Sequence, residues 1–402
     1  MLLVVQKFGG SSVADSRRIK AVASIIADTY RGGNSVVAVL SAQGDTTDDL
    51  IEKAAEINPN PSKREMDMLL ATGEQQSIAL CAMALEIAGI PVVSMTGWQA
   101  GVQTTAAYGN SRIRGIKTER IFAELDRKRV VLVAGFQGTT TFFDITTLGR
   151  GGSDTTAVAL AAAMHADLCQ IYTDVEGVFT ADPRTVPTAR RLDEITYDEM
   201  LELASMGAKV LHNRSVEMAR KYSVKLEVLS SFTRKPGTIV KEKVKMEETK
   251  ISGIAKDSNI ARVALVGLED TPGVAFKIFS LMAKNSVNVD IILQSIGREN
   301  SKDISFTVAK EDLSIAENAL MESREVIGFK KLDVSSTLCK ISIVGAGMIN
   351  SSGVAAQMFE ALYESGVNIH MISTSEIKVS VLIDDVNADI AMKAVHRKFF
   401  GE

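Results

Sequence analysis

Two glycine-rich turns hold the residues best suited to chemistry. Lys7-Phe8-Gly9-Gly10-Ser11-Ser12 follows Leu2 to Gln6, a short apolar run that predicts a buried strand, and a helix is expected from about Ser16. Gly149-Arg150-Gly151-Gly152-Ser153-Asp154-Thr155-Thr156-Ala157 leads into a second apolar run, Ala157 to Met164, rich in helix formers and free of Gly and Pro. A glycine turn feeding a helix presents backbone N–H groups and the positive end of the helix dipole, which suits an anion. Lys7 adds a compact charge. Arg150 adds a planar fork that matches a carboxylate or a phosphate. The spacing is not that of a P-loop, because G-x-x-x-x-G-K-[ST] does not occur. Either turn alone could be an ordinary βα connection; two in one domain point to bound anions.

These turns need rigid elements behind them. Up to about residue 240, strand-like runs alternate with helical stretches such as Met66–Ala88. The strand-like runs are Val36–Leu40, Pro91–Met95, Val130–Ala134, Leu168–Thr173 and Lys225–Leu229. This predicts an α/β sheet with helices on both faces and ligands at the carboxyl ends of strands. Both glycine turns and Ser41 fall at such ends. Lys and Glu then crowd the sequence, and Val240–Lys250 is expected to be a linker.

The 402 residues suggest two or three domains, and 46% apolar residues are ample for their cores. With 45 basic and 49 acidic side chains there is no cationic surplus for a nucleic-acid partner. Cys81, Cys169 and Cys339 are far apart in sequence and match no zinc or redox spacing, which fits a reducing compartment. No secretory signal and no apolar run near ~18 residues is present, so a cytoplasmic protein without a membrane partner is expected. His165, His212, His370 and His396 make no catalytic set, and the 16 methionines and Trp98 are expected to fill cores.

The last third of the chain repeats itself. Residues 271–295 and 351–375 align without a gap at an offset of 80, with eight identities in 25. Each is preceded by a strand ending in glycine, at 263–267 and 341–345, and followed by another strand, at 304–308 and 379–383. The first unit reads β-α-β-β-α-β and closes near Phe329–Val334. The second lacks its fourth strand. Ile251–Lys256, a spare strand ahead of the first unit, is predicted to complete the second sheet, so that the two small domains interleave.

Taken together, these residues resemble aspartate kinases, in which an amino-acid-kinase domain precedes two ACT domains. The marks are KFGGSS at 7–12, SAQGDTTDDL at 41–50, GE at 73–74, GRGGSDTTA at 149–157, YTDVEGVFTADPR at 172–184 and GAKVLHNRS at 207–215. Gln43 and Asn213 depart from the family pattern, which has methionine and proline there. The resemblance implies a three-layer αβα sandwich over residues 1–245. Two interleaved ferredoxin-like ACT domains follow, one at 262–335 and one at 251–257 plus 339–402. It also implies transfer of the ATP γ-phosphoryl group to the side-chain carboxylate of L-aspartate, with Mg2+ held mainly by nucleotide phosphates.

A carboxylate is already a nucleophile at neutral pH, so no general base is needed, and the task is to bring two anions together. The resemblance implies catalytic roles for Lys7, Asp154 and Lys209. Ser41, Thr47, Glu74 and Arg150 would bind aspartate, with Glu74 on the ammonium and Arg150 on the α-carboxylate. From the residues alone, Glu74 equally suits a helix-start acid, Asp154 a helix cap, and Ser41 and Thr47 turn chemistry. The nucleotide set is Lys7, Gly9, Gly10, Gly151, Gly152, Ser153, Thr173, Asp174, Phe179, Asp182, Arg184 and Lys209. The ACT effector set is Asp270, Gly273, Ala275 and Gln294, closed by Asn368 and Ile369 of the second repeat, with lysine, threonine or both as effector. A homodimer or larger homo-oligomer through the ACT domains is expected. Met246 stands where an internal start for a separate regulatory subunit would fall. Glutamate 5-kinase, acetylglutamate kinase and uridylate kinase share such glycine turns but lack paired ACT repeats. A sensor that has lost turnover is the alternative of a different class.

Overall fold

Runs of Val, Leu and Ile too short for long helices build the centre of the first unit, Met1–Thr180 with Arg190–Met246. The computed structural model describes residues 1–206, 210–243, 251–296, 301–348 and 351–401. Lys209 and Met246 lie outside them. The unit's strands begin with β1 (Leu3–Phe8), β2 (Ser35–Leu40), β3 (Val92–Met95), β4 (Val102–Thr104), β5 (Ile113–Ile116) and β6 (Val130–Ala134). They continue with β7 (Gln137–Thr139), β8 (Ile145–Thr147), β9 (Leu168–Thr173), β10 (Glu194–Thr196), β11 (Leu226–Ser230) and β12 (Thr238–Lys241). The main sheet has the order β10-β12-β11-β9-β1-β2-β6-β3, and β5-β4-β7-β8 form a smaller one. β1 is parallel to β2 on one side and β9 on the other, so their carboxyl ends share one edge. Val36 to Leu40 and Val130 to Ala134 are fully buried, as strands covered on both faces must be.

The helices of this unit are α1 (Ser16–Arg31), α2 (Thr46–Ile57), α3 (Lys63–Leu70), α4 (Thr72–Ile87), α5 (Glu119–Asp126), α6 (Gly152–Ala163), α7 (Tyr197–Ser205) and α8 (Asn213–Lys221). Asp15 caps α1 by accepting a bond from the Arg18 N–H. Ile19, Val22, Ala23 and Ile26, spaced for one helix face, pack in one core with Ile78, Cys81 and Leu85 of α4. Small residues let α6 lie buried from Gly152 through Ala161. With helices on both faces of the main sheet, the unit is a three-layer αβα sandwich.

Two expectations change. The stretch 66–88 is two helices that meet at Ala71, not one. The break brings Gly73 against Ala42, where an added Cβ would come within 2.8 Å of the Ala42 Cβ. The linker also starts later than Val240: that residue is fully buried in β12, opposite Leu226 and Ile195.

The second unit is Ala181–Ala189 with Glu247–Glu402. Its strands are β13 (Gly253–Asp257), β14 (Ala261–Glu269), β15 (Ile292–Ile296), β16 (Ser301–Val308), β17 (Lys331–Ser335), β18 (Leu338–Val344), β19 (Met371–Ser375) and β20 (Lys378–Asp384). Its helices are α9 (Val274–Lys284), α10 (Leu313–Glu322), α11 (Arg324–Ile327), α12 (Val354–Glu364) and α13 (Ala388–Phe400). They make two ferredoxin-like layers with sheets β15-β16-β14-β17 and β13-β18-β20-β19. The spare strand does complete the second sheet: β13 runs antiparallel to β18, from Gly253 opposite Val344 to Asp257 opposite Lys340. Ile260, Ile291, Leu338, Met371 and Leu382 form a small apolar cluster with members from both repeats. Lys340 is 5% exposed and ion-pairs with Asp290, with Asp257 3.7 Å away. Ala181 and Val186 share the apolar core of the second repeat, so this short stretch packs away from the sequence neighbours with which it was expected to lie. No helix among the described residues is long and apolar enough to cross a membrane.

Candidate active site

The carboxyl ends of β1 and β2 and the start of α6 enclose a cavity of about 760 Å³. Lys7, near the end of β1, reaches Asp154 of α6; its Nζ lies 2.6 Å from Oδ1, and both side chains are 12% exposed. Asp154 is the third residue of α6, so its carboxylate also faces the positive end of the helix dipole. A Cβ at residue 9 would come within 3.3 Å of the Lys7 Nζ, so Gly9 leaves room for the ammonium. The Gly44 N–H donates to the Gly10 carbonyl and ties the two neighbouring turns together.

Gly151 caps α6 with φ 69° and no side-chain cap. Ser153 and Asp154 stand in the first turn of α6, where N–H groups lack intrahelical acceptors. Arg150 is exposed, and Ser41 and Thr47 line the same cavity. Glu74, in the first turn of α4, is 3% exposed. The Ala42 N–H donates to its Oε1 at 3.2 Å, while Oε2 has no partner. Burial pushes the carboxyl up to about 7. Helix-start acid and ligand are thus compatible roles for one side chain. The cavity therefore gathers Lys7, Gly9, Gly10, Ser41, Thr47, Glu74, Arg150, Gly151, Gly152, Ser153 and Asp154.

Thr173 ends β9 beside the first turn: its carbonyl accepts from the Ser231 N–H, and the Ser231 hydroxyl bonds that of Ser12. The Thr173 hydroxyl donates to Asp174. Phe179 is half-buried and forms a β-bridge with Arg191. Asp182 and Arg184 grip one another through two parallel bonds of 3.0 and 2.8 Å, which holds the Asp182 carboxyl below its usual range. Both belong to the short stretch that packs with the second unit. In that unit Asp270 ion-pairs with Lys302 at 2.5 Å, Gly273 caps α9 with φ 96°, and Ala275 is exposed. Gln294 on β15 and Asn368 are also exposed, while Ile369 packs against the second repeat's core. The two departures from the family pattern are accommodated. Gln43 donates to the Val13 carbonyl, and Asn213 opens α8, where a proline also fits.

Three further residues near the cavity have no role assigned from the sequence. Asp67 is a buried carboxylate on α3 that lines it. Arg214 donates to the Leu148 and Ser111 carbonyls, and His212 lies against Gly151. The apolar flanks of Asp67, Met66 and Met68–Leu70, are a cue, since an acid within an apolar run has a reason to be there. Among the described residues no three His, Cys, Asp or Glu side chains group to hold a metal.

The raised Glu74 value makes a two-sided prediction. The unfolded carboxyl ionises first, so stability falls as pH rises from about 4.5 to about 7 and then levels off. Glu74→Gln should raise unfolding stability at pH 8 by on the order of 2 kcal/mol in chemical denaturation. A cationic substrate group at Oε2 needs the ionised form, so its binding improves over the same rise in pH. The KM of the amino-acid substrate should fall between about pH 6 and pH 8 in the native chain and stay high and flat in Glu74→Gln.

Comparison with known proteins agrees with this architecture. The amino acid kinase family model matches residues 2–230, and the ACT domain model matches 263–323 and 341–399. The aspartokinase of Mycolicibacterium smegmatis is 51% identical over 99% of this chain and 96% of its own. Aspartokinase 2 of Bacillus subtilis is 49% identical over 99% and 98%. Escherichia coli aspartokinase III, solved with aspartate and ADP, superposes with a TM-score of 0.83 at 25% identity and covers 99% of this chain and 100% of that one. The same enzyme with lysine and aspartate gives 0.79 over 99% of each chain. On sequence, fold and the full-length match, this chain belongs to the aspartokinases.

Proposed function

We propose that the chain transfers the γ-phosphoryl group of ATP to the side-chain carboxylate of L-aspartate. The product is 4-phospho-L-aspartate, and the step opens the route to lysine, threonine, methionine and diaminopimelate. The observation that carries this reading is one cavity with two faces. Lys7, Asp154 and the N-terminus of α6 form a face for phosphates, while Glu74 and Arg150 bring an anion and a cation to the same cavity, the two charges an amino acid's ammonium and carboxylate require. The relative solved with aspartate and ADP supports it.

The aspartate side-chain oxygen forms a bond to the γ-phosphorus as the bond to the β,γ-bridging oxygen breaks, and ADP leaves. No proton needs to be removed. Lys7, with Lys209, neutralises charge that spreads over the transferring group. Gly9, Gly10, Gly151, Gly152 and Ser153 supply backbone N–H donors. Asp154 keeps the Lys7 ammonium aimed. Thr173, Asp174 and Phe179 form the nucleotide's outer contacts. Arg150 and Glu74 hold the α-carboxylate and ammonium, and Ser41 and Thr47 the reacting carboxylate. Magnesium fits this donor set as an ion held by nucleotide phosphates, with Asp154 the buried carboxylate suited to one of its waters, and it supplies further charge neutralisation.

Regulation by lysine, threonine or both rests on the paired ACT repeats and on the relative solved with lysine. The effector set is Asp270, Gly273, Ala275, Gln294, Asn368 and Ile369. Gln294→Ala should raise the half-inhibitory effector concentration by about tenfold, within the usual range of coupling energies, and unchanged inhibition would remove this assignment. Edge strands β15 and β19 expose Ile292 (51%) and Ile372 (40%) at matching repeat positions, which supports a homodimer through the ACT sheets. A regulatory subunit started at Met246 remains part of the proposal. Three buried free thiols suit a reducing cytoplasm.

Hydroxylamine trapping tests the activity. Hydroxamate with Mg-ATP and L-aspartate, and none with L-glutamate or N-acetylglutamate, is expected. ATP binding without hydroxamate from any acid would instead favour the sensor.

A further inference from the structure

We infer that Asp67 is a positioning residue for Arg150, acting through the backbone on which that arginine stands. This rests on the reading of Arg150 as the ligand of the aspartate α-carboxylate. Lys63, Met66, Asp67 and Leu70 form one face of α3, and that face lines the cavity. Asp67 is 1% exposed. Its carboxylate accepts the Gly109 N–H at 3.0 Å on both oxygens, the Thr147 N–H at 2.9 Å and the Thr147 hydroxyl at 2.6 Å. Both carboxyl oxygens are used as acceptors, and an amide in their place would turn two hydrogens of its own toward one set of these donors.

The bonds fasten two segments that also hold each other. The Ser111 N–H donates to the Thr147 carbonyl at 2.9 Å. Arg214 bridges both segments, donating to the Leu148 and Ser111 carbonyls at 2.9 and 2.8 Å. Gly149 follows in the left-handed region, φ 76°, where an added Cβ would come within 3.2 Å of the Gly109 carbonyl. Gly109 is the residue that Asp67 holds. The residue just before Arg150 is therefore located by contact with Asp67's own partner. Arg150 is exposed, so packing does little to aim its side chain, and its direction depends on this backbone.

A double-mutant cycle on the full chain tests this. Steady-state ADP release would be measured with aspartate and ATP titrated separately. Asp67→Asn should raise the aspartate KM about tenfold and change the ATP KM by less than about twofold. In the Arg150→Ala background it should add nothing to the aspartate KM. Thr147→Val, which removes one donor and keeps the shape, should move the aspartate KM in the same direction by less. A full extra loss on top of Arg150→Ala, equal changes in both KM values, or an unchanged aspartate KM would overturn the inference. Thr147→Val passes through the same cycle, so an Asp67→Asn chain that fails to fold does not protect the idea. If Arg150→Ala alone left the aspartate KM unchanged, the carboxylate reading would fall first and this inference with it.

Discussion

Lys7→Met is expected to lower kcat by about a thousandfold while nucleotide still binds. Phosphoryl transfer to a carboxylate sets anion against anion, and a fixed cation at the transferring group is worth roughly a hundred- to a thousandfold or more. The substitution has a second consequence that separates charge from scaffold. Asp154 loses the ammonium 2.6 Å away and is left as a largely buried carboxylate without its cation. Breaking one side of such a pair costs about 3 kcal/mol, so the melting temperature should also drop. Lys7→Met with Asp154→Asn removes the orphaned charge; it should recover most of the melting temperature and none of the turnover. Near-native kcat in Lys7→Met would take Lys7 off the phosphoryl group altogether.

Gly151→Ala should cost at least about a hundredfold in kcat/KM. Left-handed backbone costs a residue with a Cβ roughly 1–2 kcal/mol. At this position the new methyl would also stand 2.2 Å from the His212 Cγ, a distance that forces the loop or the ring to move. The loop carries Arg150 on one side and the first turn of α6 on the other, and misplacement of about 1 Å is enough for such a loss. Gly33 is the internal control. Its φ is 84°, and nothing lies within 4 Å of the added methyl. Gly33→Ala should lose only the backbone term in a denaturation experiment and keep full activity. Equal behaviour of the two variants would mean that His212 yields freely and that the loop does not depend on it.

The sequence made some of this legible and hid the rest for identifiable reasons. Short apolar runs of five or six residues that alternate with helical stretches suit buried strands, so the sheet and the edge that carries the ligands followed from Leu2–Gln6, Val36–Leu40 and Leu168–Thr173. The β13 pairing followed from counting strands in the two repeats. The break at Ala71 was marked only by Thr72 and Gly73, a pair that a helix tolerates, and the contact that requires it, Gly73 on Ala42, joins distant parts of the chain. Glu74 resembled any acid at a helix start until its burial and its unpartnered oxygen were visible. Asp67 was hidden because its donors, Gly109 and Thr147, are 42 and 80 residues away. Asp182 and Arg184, expected on the nucleotide, also bond each other at a spacing of two residues.

The pairing of β13 with β18 also bears on how the chain is made. β13 leaves the ribosome before any of the first repeat, and its partner strand follows roughly 80 residues later, which at 5–20 residues per second is a wait of about 4–16 s. Throughout that interval β13 is an unpaired template for any extended chain nearby. Lys256 and Asp257 at its end supply the charge that makes a wrong neighbour unwelcome. The same thread means that neither repeat can be copied, lost or exchanged as a contiguous cassette. A cut between them leaves the second sheet without its edge, so gene rearrangements must carry the pair together.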